Sequence, residues 1–155
     1  VDLLFKICKE NLGNYNIFMF RIPRINADLN LAIGNIEKAE SEIKRAISFK
    51  GNGKNNYLAD IYVTMGDIYV TKQDYEKALG KYEEANEIYM EQYNQKVETS
   101  QFSRLYEKIV KAALEENTLV LANHYYILHK KHFGMDNTAT KSLFKMIESH
   151  KLKQS

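Results

Sequence analysis

One stretch of sequence constrains the fold more than any other: residues 58–85 have the pattern of two amphipathic helices with a break at 72–74. In the first helix Tyr62, Met65 and Tyr69 recur at steps of three and four residues, which places them on one helical face. The second helix has the same spacing at Ala78, Tyr82 and Ala85. Two antiparallel helices joined by a short turn are therefore expected.

Small and capping residues fix the details of this predicted hairpin. Gly66 and Ala78 are expected where the two helices come closest, because small side chains let the backbones approach and the large residues interdigitate. Asp74 precedes the second helix and can cap it, with Lys77 three residues further on. We expect this second helix to extend to about Tyr93.

The hairpin resembles the tetratricopeptide repeat. The matching positions are Tyr62, Met65, Gly66, Tyr69, Ala78, Tyr82 and Ala85. The sequence departs from the repeat at Met90, where the family usually has proline. The resemblance implies an all-α fold in which antiparallel helix pairs stack into a right-handed solenoid.

Two weaker copies of the pattern flank this hairpin. The upstream copy keeps the spacing at Ala27, Gly34, Ala39, Ile43 and Ala46. The downstream copy has Tyr106, Ile109, Val110, Ala113, Ala122, Tyr126 and His129. Ala39, Ala78 and Ala122 mark a period of 39 and 44 residues, longer than the usual length of about 34. This period is similar to the long-repeat branch of the superfamily, which includes kinesin light chains and the peptide-pheromone receptors of Gram-positive bacteria.

These patterns predict one tetratricopeptide-like domain over residues 1–155, with about eight helices and no sheet. The predicted repeats cover 20–50, 59–92 and 103–134, and a capping helix covers 137–150. We expect a further helix near 2–10, and Pro23 should start or kink the helix that follows it. Because the sequence begins at Val1 without an initiator methionine, we interpret it as a piece of a longer chain.

Composition narrows the class of protein. The formal net charge is only +2, so bulk charge does not indicate a nucleic-acid partner. No apolar run approaches the roughly 20 residues that span a bilayer, and no membrane partner is expected. The single cysteine, Cys8, favours a reducing compartment and hence a cytoplasmic location.

No group of residues has the pattern of a catalytic site, so we expect neither an enzyme nor a cofactor. His129 and His132 could share a metal, but no acidic or thiol side chain has matching spacing. We therefore expect no metal site and a packing role for His129. The C-terminal lysines have few arginines beside them, which argues against direct contact with nucleic acid.

The resemblance implies that the first helix of each pair lines a partner-binding groove. Carried over to this chain, the groove residues are Arg21, Arg24, Asp28, Asp60, Val63, Thr64, Asp67, Arg104, Glu107, Lys108 and Lys111. Arg104 and Lys108 match cations of the family's clamp for a terminal carboxylate, but Thr64 replaces an asparagine of that clamp. The groove has acids in the middle and bases at both ends. This favours an extended peptide with a positively charged centre, and Asp67 is expected to be exposed.

Two functions remain open at this stage. The first is a module that binds a protein or peptide, with a homodimer as one possible assembly. The alternative is the C-terminal peptide-sensing domain of a bacterial regulator of the quorum-sensing type, which would control transcription or a phosphatase.

Overall fold

The chain is described by a computed structural model over residues 18–49, 56–93 and 99–154, with isolated positions at 3, 6, 7, 10 and 11. These residues form helices and turns without any strand, which confirms the all-α prediction. The helices are α1 (Phe18–Ala32), α2 (Ile36–Ser48), α3 (Asn56–Thr71), α4 (Tyr75–Gln92), α5 (Ser100–Glu115), α6 (Leu119–Phe133) and α7 (Thr138–Gln154). The predicted helix over 2–10 lies largely outside the described residues.

Each helix packs mainly on its neighbours in sequence. The most extensive contacts join α1 to α2, α3 to α4 and α5 to α6, which are the three predicted hairpins. Contacts also join α1 to α3 and α5 to α7, helices that are not adjacent in the chain. Among the helices described here, none is long and apolar enough to cross a membrane.

The same turn closes all three hairpins. Gly34, Gln73 and Asn117 each have a positive φ, of 78°, 60° and 61°. The following residue in each case donates its backbone N–H to the carbonyl five residues earlier, at 2.7–2.9 Å. This is the hydrogen bond of a Schellman motif, which ends a helix by turning one residue left-handed. The turns lie 39 and 44 residues apart, as the alanine marks predicted.

Side chains cap two of the helices that follow these turns. The Oδ1 of Asp74 accepts the backbone N–H of Lys77 at 3.3 Å, which confirms the predicted cap. Asn35 caps α2 through the N–H of Lys38 in the same way. Thr118 precedes α6 but makes no side-chain cap bond. The orphan N–H groups at two helix starts are thus partly satisfied.

Gly66 packs against the ring of Tyr82. A Cβ added at Gly66 would lie 2.5 Å from Cδ1 and 2.8 Å from Cζ of that ring, closer than real Cβ atoms come to their neighbours. Ala78 is fully buried on the same face of α4. The close approach predicted for α3 and α4 is therefore confirmed, and it leaves no room for a side chain at position 66.

Two main apolar clusters hold the helices together, and Met19 and Ile22 form a small third one. The larger contains a series of rings from α4 to α6, in which Tyr89 meets Phe102 at 5.8 Å and Tyr106 meets Tyr125 at 5.3 Å between centroids. The smaller lies between α1, α2 and α3, where Ile61 and Ile68 are buried. Because α3 contributes to both clusters, it connects the two parts of the core.

Three details differ from the sequence prediction. Pro23 lies inside α1, five residues after Phe18, so it does not start the helix, and the alternative that it kinks the helix stays a prediction. The last helix runs from Thr138 to Gln154 and is longer than the predicted 137–150. The hairpins begin two or three residues before the predicted repeats, at Phe18, Asn56 and Ser100.

Candidate functional site

A groove with a volume of about 860 Å³ crosses α1, α3 and α5. We call it the central groove. Nine of the eleven residues predicted from the resemblance line it: Arg21, Arg24, Asp28, Asp60, Val63, Thr64, Asp67, Arg104 and Lys108. The structure therefore brings together most of a set that spans 88 positions of sequence from Arg21 to Lys108.

The two remaining residues lie elsewhere. Lys111 lines a second cavity, between α5 and α7. Glu107 lines neither cavity and is half-buried. Burial lowers the pKa of His129, and the nearby charge of Glu107 opposes this shift only in part. Lys111 and Glu107 therefore do not line the central groove, because successive positions of α5 face different neighbours.

Asp28 connects α1 to α3. One carboxylate oxygen accepts a hydrogen bond from Arg24 at 2.7 Å, and the other accepts from the hydroxyl of Thr64 at 2.8 Å. Thr64 is 1% exposed, so the donor end of this second bond is buried. The pair of bonds fixes the orientation of Asp28 at one side of the groove.

Asp60 connects α3 to α4. Its Oδ1 accepts a hydrogen bond from the hydroxyl of Tyr89. Burial, followed by the bond to Asp60, raises the pKa of Tyr89 well above its ordinary value, so the hydroxyl remains a donor. Sequence reasoning did not place Tyr89 in the groove because it belongs to α4, the second helix of its pair.

Asp67 connects α3 to both α4 and α5. Its Oδ1 accepts hydrogen bonds from the hydroxyl of Tyr82 at 2.7 Å and from Lys108 Nζ at 2.6 Å. Only 26% of its side chain is exposed. The prediction that Asp67 is exposed is wrong, because the tyrosine that packs on Gly66 also reaches this carboxylate.

These bonds change the electrostatic character predicted for the groove. Arg24 and Lys108 neutralise Asp28 and Asp67, whereas Asp60 is bonded to a neutral hydroxyl. Arg21 lies over the ring of Tyr57, 5.5 Å from its centroid. Within the described part of the chain, Arg21 and Arg104 have no ion-pair partner. The groove therefore offers one acid in its middle and a cation toward each end.

The second cavity has a volume of about 770 Å³. We call it the lysine cleft. It lies between α5 and α7 and is lined by Asp67, Val70, Tyr75, Tyr82, Lys108, Lys111, Ala112, Leu114, Glu115, Ser142, Lys145, Met146, Ser149, His150 and Lys153. Asp67, Val70 and Lys108 also line the central groove, so the ion pair of Asp67 and Lys108 lies at the boundary between the two cavities.

His129 is fully buried among three helices. Its Nε2 lies 2.8 Å from the hydroxyl of Ser103 on α5, and its Nδ1 lies 2.8 Å from that of Thr140 on α7. Burial lowers the pKa of the imidazole. Both ring nitrogens are thus engaged by hydroxyls, and the ring links α5, α6 and α7. Among the described residues no three His, Cys, Asp or Glu side chains form a group that could hold a metal ion.

Comparisons with known proteins assign no family to this arrangement. No protein-family model matches the chain, and no curated protein matches it at a significant level.

Proposed function

We propose that this protein is a peptide- or protein-binding module whose central groove holds an extended segment of its partner. In this proposal the three hairpins form a right-handed solenoid of the tetratricopeptide kind. One observation carries it: nine residues chosen by resemblance to that family, from three separate helices, line one groove. The single cysteine supports a cytoplasmic location.

The groove has the features of a preformed binding site. Its volume of about 860 Å³ lies within the usual range for ligand pockets, roughly 300–1,000 Å³. Asp28, Asp60 and Asp67 each accept a hydrogen bond from a helix other than their own. These carboxylates are therefore already ordered before a ligand binds. Preorganisation of this kind lowers the entropic cost of holding a peptide.

The charges indicate which peptide would fit. Asp60, in the middle, favours a basic residue of the ligand, and Arg21 and Arg104 favour acidic residues on either side of it. Val63 and Leu105 line the same groove and offer contacts for apolar side chains. We therefore expect the ligand to be an extended segment with a basic centre and acidic flanks.

A display experiment tests this function. Peptides selected from a random library on the whole chain would be titrated against the double variant Arg21→Ser/Arg104→Ser by calorimetry. Loss of two charge contacts of up to about 1 kcal/mol each should weaken binding by roughly tenfold. The matched control is Lys44→Ser/Lys131→Ser, which removes the same charge from exposed positions outside the groove. Selected peptides that bind both double variants alike would contradict the proposal.

A further inference from the structure

The lysine cleft contains more positive charge than its surroundings neutralise. Lys111, Lys145 and Lys153 are exposed at its walls, and within the described ranges none of them forms an ion pair. Lys108 is already paired with Asp67. Apart from Asp67, Glu115 is the one acid among the residues that line this cavity. A cavity with this imbalance favours an anionic ligand.

The α7 wall of the cleft is anchored on both sides. Leu143 and Ile147 are buried in the core at 1% and 2% exposure, which fixes the rotation of the helix. Near its end, His150 Nε2 lies 3.1 Å from Asn117 Oδ1, and Gln154 donates to the same oxygen. The adjacent stripe that carries Lys145 and Lys153 is therefore presented by a fixed support.

The spacing of the lysines suits an extended chain. Lys145 and Lys153 are eight residues apart on one helix, a distance of about 12 Å along its axis. An extended peptide covers that distance in about four residues at about 3.3 Å each. Carboxylates at alternate positions of such a peptide would all face the same wall.

The floor of the cleft is apolar. Val70, Tyr75 and Met146 are partly buried and line it, together with buried Ala112 and Leu114. A peptide with apolar residues between its acids could therefore bury them against this floor. Nucleic-acid grooves, in contrast, combine several aromatic platforms with arginines. The lining of this cleft has no arginine, and the ring of Tyr82 is buried against Gly66.

We infer that the lysine cleft is a second binding site, which holds an acidic segment of a partner protein with apolar residues between its carboxylates. The side-chain carboxylates face Lys111, Lys145 and Lys153, and the apolar residues face Val70 and Met146. This site is distinct from the central groove, since the two cavities share only Asp67, Val70 and Lys108 among their lining residues.

The test uses a defined probe. A fluorescent eight-residue peptide of alternating glutamate and leucine, blocked at both ends, would be titrated by anisotropy against the whole chain. A glutamine–leucine peptide of the same length serves as the neutral probe. The triple variant Lys111→Gln/Lys145→Gln/Lys153→Gln should bind the acidic probe about tenfold or more weakly than the parent, since exposed pairs each contribute modestly. The control Lys44→Gln/Lys130→Gln/Lys131→Gln loses the same charge at exposed positions outside the cleft and should stay within about twofold.

The possible outcomes distinguish failure of this inference from failure of the proposed function. Equal binding of acidic and neutral probes, or equal loss in both triple variants, would overturn the inference. Tighter binding of a fluorescent oligothymidine than of the acidic peptide, with loss in the cleft variant, would also overturn it in favour of nucleic acid. The Arg21→Ser/Arg104→Ser variant should bind the acidic probe like the parent. The proposed function of the central groove and the inference about the lysine cleft can therefore fail independently of each other.

Discussion

Lys108 Nζ lies 2.6 Å from Oδ1 of Asp67, a contact between residues 41 positions apart that joins α5 to α3. The same oxygen accepts the hydroxyl of Tyr82 from α4. One carboxylate therefore connects three helices, and it does so at the boundary of the central groove and the lysine cleft. A charge reversal at Asp67 would change stability and binding together, so it cannot report on the groove alone.

Removal of this carboxylate should destabilise the fold more than removal of its cation. Asp67→Ala leaves the hydroxyl of buried Tyr82 without its acceptor, and we expect a loss of about 1–3 kcal/mol in the free energy of unfolding. Lys108→Met should cost about 1 kcal/mol or less, because an ion pair that is still partly open to solvent contributes little. Urea denaturation followed by circular dichroism measures both. Asp136→Ala removes the exposed partner of Lys141 and should change nothing measurable.

Two glycines should respond to alanine in opposite directions. Gly66→Ala places a Cβ against the ring of Tyr82 and should destabilise the protein by about 1–3 kcal/mol. Gly80→Ala adds a methyl group in open space on α4 and should stabilise it by roughly 0.5–1 kcal/mol. Thermal and urea unfolding distinguish the two results. If Gly66→Ala were as stable as Gly80→Ala, the close packing of α3 on α4 would be wrong.

A pair of threonines isolates the hydrogen bond between α1 and α3. Thr64 and Thr71 both bond to the carbonyl four residues earlier, but only Thr64 also donates to another helix, at Asp28. Thr64→Val should therefore cost about 1 kcal/mol of unfolding free energy. Thr71→Val, at an exposed site, should stay within about 0.5 kcal/mol. Equal effects in urea denaturation would show that the contact between helices contributes nothing.

Stability should fall in mild acid because of His129. Burial lowers the pKa of this imidazole below its ordinary 6.5, so the unfolded chain binds the proton more tightly than the folded chain. The stability that neutral His129 contributes to the fold is fully present above about pH 6.5. It is lost as the pH falls through the folded-state pKa of this imidazole. Urea midpoints at pH 7.5 and 5.5 should differ more for the parent than for His129→Gln. His124→Gln, at an exposed position, should retain the parent's pH dependence.

Sequence spacing was sufficient to predict the hairpins and their register. Gly66 and Ala78 could be placed because helical periodicity fixes which face a residue occupies, and small residues mark a close approach. Periodicity does not say how far a side chain reaches. For this reason the hydroxyls of Tyr82 and Tyr89, which arrive at Asp67 and Asp60 from the second helix of the pair, were not predicted.

The lysine cleft was missed for a related reason. In the sequence, Lys145 and Lys153 have the appearance of a solvated outer face on a terminal helix. Their position relative to Lys111 depends on how α7 packs against α5, a contact between helices that are not adjacent in the chain. No local sequence pattern encodes the angle at which α7 packs against α5.

The recurring turn at Gly34, Gln73 and Asn117 makes the hairpins equivalent at their joints. In all three the same backbone bond is made five residues back, whatever side chain occupies the left-handed position. A deletion that joins Gln73 directly to Thr118 would remove residues 74–117, which is 44 residues, and would keep one left-handed residue for the turn at the splice. The chain could therefore be shortened by one hairpin without a change in the geometry of the remaining turns. Such a shortened chain would lose one segment of the binding surface.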